Sequence, residues 1–142
     1  MKRFSFPLDR VLDWKGVVSQ QEQLALDTLR QQRDEITSSL LNLSEQIDTL
    51  SRDTHEAGTG QELAYSAQAR SSVMRHRTRT EAQRAHCDTK IVTQQNKVRV
   101  VETERRLLDR LKEKSQSEWQ LTADREMEAT ASDLFLGSWR RR

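Results

Sequence analysis

The chain has 142 residues, of which 32% are charged, 34% apolar and 5% aromatic, with one proline, four glycines and a formal net charge of +2. A compact domain of this size needs several turns and a core rich in aromatic and branched side chains, so the composition argues against a globular core and for long solvated helices joined along a narrow apolar seam. The small net charge gives no automatic claim on a polyanionic partner.

In chain order, Met1 to Pro7 is basic but lacks the apolar stretch of a secretory leader. Pro7 suits the first position of a helix, where its missing N–H is no loss. A first helix is predicted over about 7–56. Its apolar residues recur at Leu8, Val11, Val18, Ala25, Leu29, Ile36, Leu40, Leu43, Ile47 and Leu50, mostly three, four or seven apart. The step from Ile36 to Leu40 reads as a one-place shift of the heptad with local unwinding of the supercoil. Gly16 is an internal weak point, costing about 1 kcal/mol relative to alanine.

The pattern stops at Ala57-Gly58-Thr59-Gly60, the chain's strong breaker. Gly58 suits a left-handed cap of the first helix and Thr59 the cap of the second. The turn is placed at 57–60, the second helix at about 61–136 and a basic tail at 137–142, with Gly137 ending the helix. The clearest seam of this second helix is Cys87, Ile91, Gln94, Val98, Val101, Arg105 and Leu108, extended by Leu111, Trp119 and Met127.

Folding at Thr59 sets residues whose numbers sum to about 118 opposite one another, and apolar positions then coincide: Leu50 meets Ala67, Leu43 meets Met74, Leu29 meets the Cys87–Ile91 turn and Val11 meets Leu108. Residues 1–56 carry seven basic against ten acidic side chains, and residues 57–142 carry seventeen against twelve. Segments of opposite sign attract modestly. The expectation is an all-α fold: one long antiparallel two-helix coiled-coil hairpin spanning 1–142, the second helix longer than the first. At 1.5 Å per residue the helices measure about 75 Å and about 110 Å, so residues beyond about 112 overhang unless Phe4 and Phe6 fold onto them.

No enzyme is predicted, and no cofactor. The glycines at 16, 58, 60 and 137 form no phosphate-binding loop, and His55, His76, His86 and Cys87 lack the spacing of metal ligands. The single cysteine excludes an intramolecular disulfide and fits a reducing cytoplasm, and no apolar run approaches the roughly 20 residues that span a bilayer. The basic run Arg70, Arg75, His76, Arg77, Arg79 and Arg84, offset only by Glu81, has three readings: a solvated helix face, a phosphate-tracking stripe, or a protein-docking surface. The third gains weight because Ile36, Leu40, Leu41 and Leu43 lie opposite and meet small or polar residues there, which leaves an apolar strip beside arginines. A second aromatic group, Phe4, Phe6, Trp14, Trp119, Phe135 and Trp139, gathers at the end where both termini meet, as either local packing or a docking surface.

The start, Phe4-Ser5-Phe6-Pro7-Leu8-Asp9-Arg10-Val11-Leu12, resembles the amino-terminal signature of the FliJ family of flagellar export proteins: an aromatic–x–aromatic pair, a leucine, an acidic and a basic residue, then two aliphatics. The stretch Glu104-Arg105-Arg106-Leu107-Leu108-Asp109-Arg110-Leu111-Lys112-Glu113-Lys114, followed by Glu118-Trp119 and Glu126, is similar to a second part of it. The chain departs from the family at Asp13-Trp14-Lys15-Gly16-Val17-Val18, where many members carry a charged run.

The resemblance implies a soluble, non-enzymatic component of the bacterial flagellar type III export apparatus, similar to the central stalk of rotary ATPases. The implied partners are the export ATPase and its regulator, the cytoplasmic domain of the export gate, and export chaperones, with no nucleic acid and no direct membrane insertion. The implied location is cytoplasmic, with peripheral recruitment to the inner membrane. Carried onto this chain, Phe4, Phe6, Leu8, Trp14, Leu108 and Trp119 form the ATPase end. Leu40, Leu41, Leu43, Arg75, Arg77 and Arg79 form a candidate gate surface. The alternatives are the equivalent stalk of an injectisome, a nucleic-acid-binding coiled coil and a structural rod.

Overall fold

The computed structural model describes residues 3–140. It is all-helical, with α1 (Asp9–Glu56) of 48 residues and α2 (Gly60–Trp139) of 80 residues. Among the described residues no helix is long and apolar enough to cross a membrane. The contacts group the chain into two units, one formed by Gln21–Val98 and the other by Met1–Gln20 with Arg99–Arg142.

In the Gln21–Val98 unit the two helix segments are antiparallel. Cys87 reaches the Leu29 carbonyl at 3.5 Å, and Gln94 donates to the Glu22 carbonyl at 3.0 Å. Both pairs have numbers that sum to 116. Leu26, Cys87 and Ile91 form the buried centre, with Leu29, Ile36 and Val98 packed around it. Besides the flanking, partly covered Arg30, Thr37, Ser44 and Ser51, the covered positions here are Glu22, Leu26, Leu29, Arg33, Ile36, Leu40, Leu43, Ile47, Leu50 and Thr54 on α1, and Ala57 just past its end. Steps of four and three alternate without interruption, so Ile36 to Leu40 is an ordinary four-residue step and no heptad shift occurs. Ala25 is exposed and Leu26 takes the seam place expected of it. On α2, Met74 and Ala67 are also exposed; the covered residues are their neighbours Val73 and Ser66.

The turn is built by a reciprocal cap. The Thr59 hydroxyl accepts from the Glu62 N–H at 3.3 Å. The Glu62 carboxylate accepts from the N–H groups of Gly58 and Thr59 at 3.1 and 3.2 Å. This is the S/T-x-x-E capping box, which satisfies donors that a helix start leaves unpaired. Gly58 does not take a positive φ. Its N–H turns forward to Glu62, so α1 ends without the left-handed cap expected there.

In the second unit the segments again run antiparallel. Lys112 donates to Asp9 at 2.7 Å, Ser19 donates to Glu102 at 2.7 Å, and Lys15 pairs with Glu104. The seam side of α1 carries Leu12, Lys15 and Ser19, whereas Val11 is 41% exposed. Leu111 and Met127 also face solvent, and the covered residues of α2 near them are Lys112, Ser115, Trp119 and Ala123. The helix starts two residues later than predicted. Pro7 and Leu8 form a turn in which the Asp9 N–H donates to the Phe6 carbonyl at 3.2 Å, a tight turn with proline at its second position. Gly16 lies within α1 without interrupting it, and Gly137 lies within α2, which continues to Trp139. Of the basic tail, Arg141 and Arg142 lie outside the described residues.

Candidate functional site

The aromatic end is assembled from the segment before α1. Phe4 lies against Trp119 with ring centroids 5.9 Å apart, and the rings are tilted by 57°. Such tilted pairs place the edge of one ring toward the face of the other. Phe6 is buried, and so is Ala123, four residues beyond Trp119 on α2. The amino-terminal segment therefore covers part of the stretch predicted to overhang, and every described residue from Asp124 onward is exposed. Leu108 is half-buried. Leu8 and Trp14 are 38% and 60% exposed, and the Lys15 ammonium sits 5.3 Å from the Trp14 ring centroid. The six predicted residues thus divide. Phe4, Phe6, Leu108 and Trp119 are engaged in packing wholly or in part, whereas Leu8 and Trp14 are the two exposed members of the set.

Sequence reading missed the pairs that tie this unit together. The Lys112 hydrogen bond to Asp9 raises the lysine above its ordinary value of 10.5; desolvation opposes this, and the charges of Asp9, Asp13 and Asp109 support it. Lys112 follows Arg105 by seven residues, so heptad spacing would have placed a basic residue beside the seam, but only the partner helix shows that Asp9 receives it.

The arginine-rich surface lies within the Gln21–Val98 unit, and its geometry has a simple origin. Ile91 and Val98 fill one seam position of α2, but one, two and three heptads before Ile91 that position holds Arg84, Arg77 and Arg70. All three are exposed, because a guanidinium stays hydrated at lower cost than it enters an apolar seam. The facing side of α1 is left partly uncovered. One groove of about 320 Å³ is lined by Leu40, Leu41, Arg77, Arg84 and Ala85, among others. A second, of about 400 Å³, is lined by Thr54, Ala67, Arg70, Met74 and Arg75, with Ser71 and Thr78. Leu41 is 62% exposed.

Of the six residues predicted for this surface, Leu40, Leu41 and Arg77 line the first groove and Arg75 the second. Arg79 is exposed outside both. Leu43 is buried in the seam and presents nothing to a partner, a correction that follows from its place three residues after Leu40 in the heptad. Arg84, part of the basic run but not among the six, also lines the first groove, in keeping with its seven-residue spacing from Arg77 and Arg70. Arg77 is partly neutralised by Glu81 at 3.0 Å. Among the described residues no group of three acidic, histidine or cysteine side chains could hold a metal ion, and Cys87 is buried.

No family model matches this chain, and neither characterised proteins nor solved structures offer a match.

Proposed function

We propose that the chain is a non-enzymatic, stalk-like adaptor of the bacterial flagellar type III export apparatus, linking the export ATPase ring to the cytoplasmic domain of the export gate and escorting export chaperones. The observation that carries this reading is the contact of Phe4 with Trp119. Two separate stretches resemble the FliJ family, one opening the chain and one far along α2, and this contact joins residues from both. A signature that is part of one packed unit supports a shared architecture more strongly than two scattered sequence similarities.

The role is mechanical and allosteric. A helical pair seated in a ring biases the ring's subunits only through contacts that differ between their conformations. Leu8 and Trp14 supply exposed apolar surface for such contacts, while Phe4, Phe6 and Trp119 hold the segment that presents them. The groove lined by Leu40, Leu41, Arg77 and Arg84 is the surface assigned to the gate.

The test is affinity for the export ATPase, measured with full-length protein. Trp14→Ala and Leu8→Ala, the two exposed apolar positions of this end, each weaken binding roughly tenfold, as truncation of an interface anchor does, with helical content unchanged. Unchanged affinity in both variants removes the assignment of this end. A pull-down from cytosol and membrane fractions that recovers neither the ATPase nor the gate removes the function.

A further inference from the structure

The last turns of α2 carry a concentration of apolar surface that nothing in the unit covers. Leu134 is 75% exposed, Phe135 63%, Leu136 62% and Trp139 72%. Phe135 and Trp139, one turn apart, lie against each other with centroids 6.4 Å apart. A shallow hollow of about 500 Å³ lies beside them, lined by Asp133, Leu136, Gly137, Trp139 and Arg140. In the sequence Arg140 is followed by Arg141 and Arg142, and residues 134–142 contain no acidic side chain.

We infer that residues 134–142 form a peripheral contact for an anionic lipid surface. The shape of the apolar patch selects this partner. Successive helical residues point about 100° apart, so Leu134, Phe135 and Leu136 face three directions. A partner helix or a protein groove takes a stripe of residues three or four apart and leaves at least one of these three in water. The boundary between headgroups and acyl chains is deformable and accepts all three. Tryptophan is favoured at that level, where its ring is apolar and its N–H stays wet.

The charge selects the headgroup. Arg140 lies beside the apolar patch, two further arginines follow it in the sequence, and such a basic run matches anionic phosphates, each arginine worth about fivefold in partitioning near such a surface. The residues upstream set the limit of the contact. Asp124, Glu126, Glu128 and Asp133 carry the opposite sign, so a negatively charged membrane repels the preceding turns and the contact is confined to the last two. The segment lies on the bilayer and does not cross it, in keeping with the absence of a membrane-spanning helix among the described residues.

The experiment is co-sedimentation of the full-length protein with vesicles made of equal parts phosphatidylglycerol and phosphatidylcholine, and with vesicles of phosphatidylcholine alone. The mixture contains no other protein, so its result is separate from that of the ATPase and gate assays. The expected result is binding to the anionic vesicles that falls as salt rises, with little binding to the neutral ones. Replacing Arg140, Arg141 and Arg142 together by Gln lowers partitioning about a hundredfold. Leu136→Ser combined with Trp139→Ser lowers it at least about tenfold, whereas Leu24→Ser, at an exposed apolar residue of α1, leaves it unchanged. No preference for anionic vesicles overturns the inference. So does binding that survives both sets of changes, which would assign it to another basic surface such as Arg70–Arg84. Self-association abolished by Leu136→Ser with Trp139→Ser, without vesicle binding, assigns the patch to a second copy instead.

Discussion

Gln94 reaches across the seam and donates to Glu22 twice, to the backbone carbonyl at 3.0 Å and to the side-chain carboxylate. Gln94 is buried and Glu22 half-buried, so each is desolvated where apolar residues would otherwise sit. A polar layer of this kind is favourable only while both partners are present, because an unpaired desolvated carboxylate carries its full cost. Gln94→Leu should therefore destabilise the protein by about 1–3 kcal/mol in urea denaturation. The double change Gln94→Leu with Glu22→Leu should return stability to the parent level or above, since it restores an apolar layer. Equal losses in the single and double variants would show that the pair is not coupled.

The capping box makes a separate prediction at the turn. One carboxylate, that of Glu62, receives the N–H groups of Gly58 and Thr59, while the Thr59 hydroxyl receives the N–H of Glu62. Thr59→Ala should cost about 1 kcal/mol. Glu62→Ala should cost at least as much, because two backbone donors lose one acceptor. Glu62→Gln, which keeps an acceptor oxygen, should cost less than either. Hydrogen exchange should quicken first at residues 58–62, and protection unchanged there in Glu62→Ala would refute the role given to the cap.

The turn and the second seam were legible because their signals are local. Two glycines around Thr59 mark the break and Thr59 suits the cap of the second helix, although Glu62, which completes the box, is recognised only in the structure. Cys87, Ile91, Gln94, Val98, Val101 and Leu108 keep the heptad by their own spacing. The first seam was misread because Lys15, Ser19, Glu22 and Arg33 occupy seam positions of α1. Counting apolar residues passed over them and settled on Val11 and Ala25, one place off the true stripe. What makes Lys15, Ser19 and Glu22 acceptable there is Glu104, Glu102 and Gln94 on the other helix, and a pairing across some 70 or more residues leaves no periodic trace. The arginine surface was visible as a run of charge. Its grooves depend on Arg70, Arg77 and Arg84 sharing one heptad position, which becomes meaningful only once Ile91 and Val98 are known to be covered there.

Gly16 tests whether a glycine inside a long helix carries a structural role. The helix runs through it, its φ is not positive, and a Cβ built there meets nothing within 4 Å. Neither a turn nor a close approach requires glycine at this place. Gly16→Ala should stabilise the protein by about 0.4–1 kcal/mol, chiefly by restricting the unfolded chain. A higher midpoint in thermal or urea denaturation is the expected reading. A lower one would mean that α1 needs the freedom of glycine at this position.

Lys112 and Asp9 give the unit a dependence on alkaline pH. Asp9 opens α1, where a carboxylate also interacts favourably with the helix dipole, and the Lys112 ammonium donates to it at 2.7 Å. Hydrogen bonding to Asp9, assisted by the charges of Asp9, Asp13 and Asp109 and opposed by desolvation, holds the lysine above 10.5. Because the folded value lies above the unfolded one, the stabilisation is fully present below the unfolded value and disappears as pH rises through the folded value. Melting temperature followed into the alkaline range should therefore fall more steeply in the parent than in Lys112→Met, which lacks the proton to lose. Lys112→Arg should hold its stability to higher pH than the parent, because a guanidinium remains charged there. The other lysines are common to all three proteins, so the differences report this pair. Coincident profiles for the parent and Lys112→Met would show that the contact with Asp9 contributes nothing to holding the start of α1 in place.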